Sequence, residues 1–121
     1  MTRAASRVDR GLLDELLEIA QRPALAWESF RPGVDIHRLW EDSGGEAAAL
    51  LRYAPGAQVP RHRHEGHEHV FVLSGAQRDE HGLVPAGGHR INPPGSSHVV
   101  ESPEGCVVLV VWERPNTFLD G

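Results

Sequence analysis

Seven of the eight histidines lie between positions 62 and 98, in less than a third of the chain. In an extended segment side chains alternate between faces, so His62 and His64 point to the same side. Gly66 permits a bend after them, and we expect the following strand to return antiparallel and place Glu68 on that side as well. The spacing therefore predicts three converging ligands, two nitrogen and one oxygen.

A fourth ligand is predicted at His98, because the turn Pro93-Pro94-Gly95 feeds a strand that begins near this histidine. Three neutral imidazoles and one carboxylate suit Fe, Mn, Ni, Cu or Zn, and six-coordinate geometry leaves positions open for water or a small ligand. We therefore predict one divalent transition metal ion at His62, His64, Glu68 and His98. Binding should weaken below about pH 6, because free imidazoles protonate near pH 6.5.

The remaining histidines and the single cysteine are not assigned to the site. His67 and His69 have the opposite parity to the ligands, so we expect them to face away, at a surface or an interface. The histidines without a ligand-spaced neighbour, expected to be solvated, are His37, His81 and His89. Cys106 opens an apolar strand, where cysteine behaves as a small buried hydrophobe, and a redox-sensing thiol is the alternative.

Composition excludes several function classes. The formal net charge of −5 and the absence of an arginine cluster without nearby carboxylates argue against nucleic acid as a partner. All twelve basic residues are Arg, so Schiff-base chemistry by lysine is excluded for this polypeptide. With one cysteine, no apolar N-terminal stretch and no run of about 18 apolar residues, we expect a cytoplasmic protein that does not span a membrane.

The elements that must position these residues are mainly short strands, since glycine and proline together supply 22 residues and punctuate the chain. An apolar stripe predicts one helix over 9–21, capped by Ser6 or Asp9 and stopped by Pro23. The predicted strands are 34–41, 46–54, 67–74, 76–79, 88–92, 97–102 and 106–113. We expect a helical extension over 1–23 and a single barrel or sandwich domain over 24–121.

Two of these strands are apolar at consecutive positions, in the runs 70–73 and 107–112. Both faces of such strands are expected to be covered. One face fills the barrel, and the N-terminal helix or a second subunit covers the other. We therefore predict a homodimer, with the helix as the alternative cover.

The histidine motifs resemble those of the cupins. The first cupin motif, Gly-x5-His-x-His-x3-Glu-x6-Gly, is matched at every spacing by Gly56, His62, His64, Glu68 and Gly75. The second resembles Gly87, Pro93, Gly95 and His98, with Ser102 where the family usually has Asn. The resemblance implies an all-β jelly-roll barrel, the double-stranded β-helix, here with one N-terminal α-helix.

A closer resemblance, over about 27–112, is to the cupin domain of ChrR-type anti-sigma factors, through segments such as 50–56, 79–82 and 92–95. Those proteins carry a separate N-terminal zinc domain built on His-x3-Cys-x2-Cys. One cysteine and a short N-terminal region leave no room for it, so we expect a stand-alone barrel. The main functional hypothesis is a dioxygenase or isomerase acting on a small oxygen-rich molecule. The alternative is a non-catalytic metal-binding sensor.

Overall fold

The computed structural model describes residues 5–7 and 10–119. Helix α1 spans Arg10–Ala20, close to the predicted range, and buries Leu13 and Ala20 on its apolar stripe. Ser6 lies in a short strand, β1 (Ala5–Arg7), so the predicted cap at Ser6 is wrong. The other proposed cap, Asp9, lies outside the described residues. Within this part of the chain, no helix is both long and apolar enough to cross a membrane.

The rest of the described chain is antiparallel β-structure. The further strands are β2 (Glu28–Arg31), β3 (Val34–Glu41), β4 (Ala47–Tyr53), β5 (Gln58–Arg63), β6 (Glu68–Asp79), β7 (Gly82–Pro85), β8 (Gly88–Asn92), β9 (Ser97–Glu101), β10 (Cys106–Trp112) and β11 (Thr117–Phe118). Along the main path they pair in the order β11-β5-β9-β6-β10-β4-β3-β2; β7 and β8 also pair with β6, and β1 pairs with β8. The predicted all-β barrel with one N-terminal helix is confirmed.

Strand β6 joins the two halves of the barrel. Its first part pairs with β8 and β10, and its last part pairs with β7 and β9. The two strands predicted over 67–74 and 76–79 are one strand that continues through Gly75. This glycine has a φ of +70° and lies so close to the backbone of Gly105 that a Cβ would overlap its carbonyl oxygen. Glycine thus marks the point where one continuous strand passes from one half to the other, rather than a break between two strands.

The barrel has an inner core and an outer cover. The inner core is built from alternate residues of the strands, including Val72, Val108 and Val110, because successive side chains point to opposite faces. On the outside, Leu13 and Ala20 of α1 pack with Leu50, Leu73 and partly buried apolar residues of β10. The N-terminal helix therefore covers part of the outer face of β6 and β10.

Candidate metal centre

All four predicted ligands meet inside the barrel. His62 lies on β5, His64 follows that strand, Glu68 begins β6 and His98 lies on β9. One ligand atom from each lies within 4.8 Å of the others. None of the four residues is more than 5% exposed. The structure therefore brings together every residue that the sequence predicted for the site.

The predicted alternation of faces is confirmed for the first pair, since His62 and His64 are buried while Arg63 between them is exposed. The antiparallel return to Glu68 is wrong, because β5 pairs with β9 and β11 and has no described pairing with β6. Pairing with β9 places His62 opposite His98. The chain then turns through Gly66 and starts β6 in the other half of the barrel, so Glu68 reaches the site by crossing between sheets.

Each histidine is oriented by an acceptor on its outward side. A neutral imidazole that donates from Nδ1 keeps its Nε2 lone pair for the opposite direction. The Nδ1 partners are the carbonyl oxygen of Pro60 for His62 at 2.8 Å, Ser96 for His64 at 3.0 Å to the carbonyl and 2.9 Å to Oγ, and Asp79 Oδ2 for His98 at 2.7 Å. The three Nε2 atoms are thereby directed toward the centre of the site.

At the centre of the site, lone pairs of the ligand atoms face one another, which is unfavourable for neutral imidazoles without a proton or a cation between them. The Nε2 atoms of His62 and His98 are 3.0 Å apart. His64 Nε2 lies 3.3 Å from Glu68 Oε1 and is buried with no hydrogen-bond partner in the described structure. Lone pairs that converge in this way require a shared proton or a cation, and a buried nitrogen without a partner costs stability. The donor set therefore fits a metal ion.

Glu68 is held in place by three donors. Asn92 Nδ2 donates to its Oε1 at 2.9 Å, while Trp112 Nε1 and Asn116 Nδ2 donate to its Oε2 at 2.6 and 2.9 Å. Burial alone would raise the pKa of Glu68, but the adjacent His64 imidazole and the Asn116 hydrogen bond outweigh burial and lower this pKa to about 2. The side chain is therefore a carboxylate at neutral pH.

The electrostatics keep two of the imidazoles neutral. Burial lowers the pKa of His62 to about 4, although the bond to Pro60 opposes the shift. Burial also lowers the pKa of His98, against the opposing effect of its bond to Asp79. Neutral imidazoles are the form that binds metal, so the site is prepared for ligation at physiological pH.

Sequence reasoning missed the residues that hold the ligands. Asn92 and Trp112 lie opposite Glu68 in the ladders of β8 and β10, so only strand register brings them there. Asp79 is eleven residues from Glu68 along the same strand and also binds Arg90 at 3.1 Å. No spacing in the sequence identifies these partners, because each depends on a pairing between distant strands.

The other histidines lie outside the centre. His67 is about half exposed and contacts Glu113 at 3.2 Å. His69 points to the outer face, where its Nδ1 is 3.0 Å from Nε2 of His89 and the two rings stack. The expected outward direction of His67 and His69 is therefore confirmed. His89 is partly buried rather than solvated.

Cys106 and Ser102 belong to the core. Cys106 is 5% exposed, and burial raises the pKa of its thiol to about 11. A thiol with a raised pKa is poorly reactive, so the structure favours the buried-hydrophobe interpretation. Ser102, which replaces the usual cupin Asn, donates to the carbonyl of Ala76 at 2.6 Å and does not contact the ligands.

Two cavities lie at this end of the barrel. The inner one borders His62, Glu68 and His98 and has about 20 Å³ available to the centre of a water molecule. That is enough for roughly one water or one ion. The outer one, here called the vestibule, has about 200 Å³ on the same measure and is bordered by Arg38, Glu41 and aromatic side chains.

Comparison with known proteins gives a family and a fold. Residues 17–115 match the family described as the ChrR Cupin-like domain. The anti-sigma-E factor ChrR of Cereibacter sphaeroides is 40% identical over 83 residues, which cover 64% of this chain but 39% of that protein. This chain thus spans well under half of the length of that curated relative.

Solved structures also match this chain in fold. ChrR in the crystal structure with SigE from Rhodobacter sphaeroides superposes with a TM-score of 0.70 and 25% identity, covering 91% of this chain and 70% of that one. An acetylacetone dioxygenase from Acinetobacter johnsonii gives a TM-score of 0.75 at 16% identity, covering 83% and 76% of the two chains. The second similarity concerns the fold alone, and together they confirm the predicted cupin fold.

Proposed function

This chain belongs to the ChrR cupin-like domain family, and from that premise we propose that it is a regulatory cupin that binds one divalent transition metal. His62, His64 and His98 would hold the ion through Nε2, and Glu68 through its carboxylate. A bound ion would supply a Lewis-acid centre with positions open to water or a small ligand. Fe, Mn, Ni and Zn are all compatible with this donor set.

The observation that carries the proposal is the set of hydrogen bonds that hold the four ligand residues. All three imidazoles are fixed through Nδ1, and the carboxylate is fixed by three donors. Outer partners of this kind set the tautomer and direction of metal ligands. Buried polar groups arranged only for stability would pair with one another, whereas His64 Nε2 has no hydrogen-bond partner in the described structure.

A regulatory role fits the interior better than the main hypothesis, an enzyme. The inner cavity accommodates about one water or ion, which is less than an organic substrate needs. Its other polar groups among the described residues are also engaged, since Gln77 donates to Tyr53 and Asn116 to Glu68. Burial further raises the pKa of Tyr53 above its ordinary value, so this phenol is unsuited to proton transfer at neutral pH.

The vestibule is the observation that favours an enzyme as the second candidate. It shares Phe30, Trp112, Asn116 and Phe118 with the inner cavity, so a small oxygen-rich molecule bound there would lie next to the ligands. The dioxygenase similarity extends only to the fold, and a fold hosts many functions. A homodimeric state, a cytoplasmic location and a small-molecule ligand are parts of the proposal that come from the sequence.

One experiment separates the two candidates. Untagged protein is incubated separately with Fe(II), Mn(II), Ni(II) and Zn(II), and thermal melting is recorded for each sample. Oxygen uptake by the Fe(II) and Zn(II) samples is followed with and without acetylacetone. The regulatory proposal predicts metal-dependent stabilisation without turnover for either ion. Sustained oxygen consumption by the iron form that depends on the diketone would replace it with the enzyme. Absence of binding by any of the four metals would exclude both.

A further inference from the structure

Residues 113–119, here called the C-terminal strap, run along the segment that carries three of the four ligands. Its hydrogen bonds to that segment are Glu113 N to His67 O at 2.9 Å, His67 N to Glu113 Oε1 at 2.9 Å, Asn116 Nδ2 to Glu68 Oε2 at 2.9 Å, Thr117 Oγ1 to Glu65 Oε2 at 2.6 Å and Leu119 N to Arg61 O at 2.9 Å. A Cβ on Gly66 would come within 2.8 Å of Glu113 Oε1. The strap is therefore packed closely against the ligand segment.

The strap also forms part of the wall between the inner cavity and the vestibule. Four side chains line both spaces, and two of them, Asn116 and Phe118, belong to the strap. The Phe118 ring lies 5.6 Å from the His62 ring, between centroids. Displacing the strap would therefore join the small inner cavity to the larger outer one and uncover His62.

The strap is attached much less firmly than the rest of this wall. Its strand β11 has two residues and ends the sheet order, paired with β5. Trp112, by contrast, ends a seven-residue strand that is paired on both sides. Short edge pairings with solvent-exposed hydrogen bonds open locally at lower free energy than the core.

Arg31 packs against the strap through the ring of Phe118. Its guanidinium carbon lies 3.7 Å from the centroid of the Phe118 ring and 5.7 Å from that of Phe30. Its Nε is buried and has no hydrogen-bond partner in the described structure. The guanidinium therefore lies over the face of the Phe118 ring and helps to hold this ring over the site.

We infer that the C-terminal strap is a gate that controls exchange of metal and small ligands at the His62/His64/Glu68/His98 site, an inference that rests on the proposed metal function. Asn116 and Phe118 act as positioning residues. Opening removes one of the three donors to Glu68 and exposes one face of His62. The ligand set itself stays in place, since Trp112 and Asn92 still hold the carboxylate. The strap therefore controls how fast metal and small ligands exchange, while the four ligand residues stay in place whether it is open or closed.

The test measures release of bound metal. Full-length protein loaded with Zn(II) is mixed with excess chromogenic chelator in a stopped-flow instrument. Phe118→Ala should release zinc at least about tenfold faster than the unmodified protein, and Asn116→Ala several-fold faster. Leu83→Ala, which also truncates a large side chain but at an exposed site on β7, should not change the rate. Equal rates in all four proteins would overturn the gate.

A second variant protects the test against a folding defect in Phe118→Ala. Thr117 and Arg63 are partners in the β11–β5 ladder, at a separation that a disulfide spans. The double variant Arg63→Cys/Thr117→Cys should release zinc more slowly when oxidised and recover its rate on reduction. An oxidised protein, shown to be crosslinked, that releases zinc at the reduced rate would contradict the gate. Failure of the unmodified protein to bind Zn, Fe, Mn or Ni would instead refute the proposed function.

Discussion

The segment from 62 to 69 presents two groups of histidines that differ only in parity. His62 and His64 point into the barrel and are buried, whereas His67 is exposed and His69 lies on the outer face. The inner pair donate from Nδ1 to backbone or serine oxygens and direct Nε2 at shared space. The outer pair contact Glu113 and His89 instead. Parity decides which face each histidine occupies, and the hydrogen bonds at Nδ1 orient His62 and His64 as the proposed ligands.

The number of histidines is therefore a weak guide to a metal site, and the orientation of their rings is a strong one. A pair such as His69 and His89 has two nitrogens 3.0 Å apart, as His62 and His98 do. His69 and His89 share one hydrogen bond on a partly exposed face. His62 and His98 stand beside the buried carboxylate of Glu68 and the imidazole of His64. The same nitrogen–nitrogen distance there indicates a place for a cation. The predictions that follow test this distinction.

The largest effect is expected from removing an inner ligand. His98→Ala should reduce zinc affinity by at least about 100-fold, more than the loss of an outer partner usually costs, because a coordinating atom is gone. His69→Ala, its outer-face counterpart, should leave affinity unchanged. Competition with a chelator of known affinity measures both. Similar losses in the two variants would erase the distinction between the groups.

A smaller effect is expected from an outer partner of the site. Asp79→Asn keeps the shape of the side chain but removes the charge that orients His98, and it should lower zinc affinity by about 10–100-fold. Asp35→Asn is the matched control, since Asp35 forms an exposed ion pair with Arg52. The same competition assay applies. An affinity within about twofold of the unmodified protein would show that Asp79 serves structure alone.

Acid should lower the stability of the folded apoprotein through His62 and Glu68 over a defined pH range. The folded-state pKa of His62 is lowered to about 4, so the unfolded chain binds a proton more readily between about pH 6.5 and pH 4. Stability contributed by the neutral ring is present above this window and is lost as pH falls through it. Glu68, with its pKa lowered to about 2, adds a further loss below about pH 4.5. Melting curves of the apoprotein from pH 8 to pH 4 should show this decline.

The same shift sharpens the expectation for metal. Because burial lowers the pKa of His62 and His98, protons compete less than in free imidazole, and metal stabilisation should persist at pH 6 and fade nearer pH 4. Zinc at 100 times its dissociation constant should stabilise by about 2.7 kcal/mol. Melting with and without chelator at pH 7.5, 6 and 4 measures it. Loss of the metal effect already at pH 6 would contradict the lowered values.

The smallest effect concerns the outer surface as a whole. Helix α1 covers part of the outside of β10, so its apolar run does not by itself require a second subunit. Leu39 and Trp40 on β3 remain about half exposed, and a homodimer would give such an outer face a partner. Light scattering at micromolar concentration should report twice the chain mass. A monomer at that concentration would leave the helix as the only cover.

Three of the four ligand residues could be predicted from local rules, whereas Glu68 was expected from an antiparallel return that the structure does not have, and the jelly-roll barrel from the resemblance to the cupins. Alternation placed His62 and His64 together, and the turn at Pro93-Pro94-Gly95 placed His98 at the start of a strand. What could not be predicted depends on long-range pairing. The contact of Asp79 with His98 and that of Asn116 with Glu68 arise from strands and segments distant in the chain. The short strand β11 likewise has no apolar pattern of its own.

The most direct test of the account is the metal content of protein purified without a metal-affinity tag. Elemental analysis of the unmodified chain, of His98→Ala and of His69→Ala should be made on samples of known concentration after incubation with Fe, Mn, Ni and Zn and removal of the excess. The account predicts close to one ion per chain for the unmodified protein and His69→Ala, and almost none for His98→Ala. The account would be contradicted by no bound metal in the unmodified protein, or by equal content in all three.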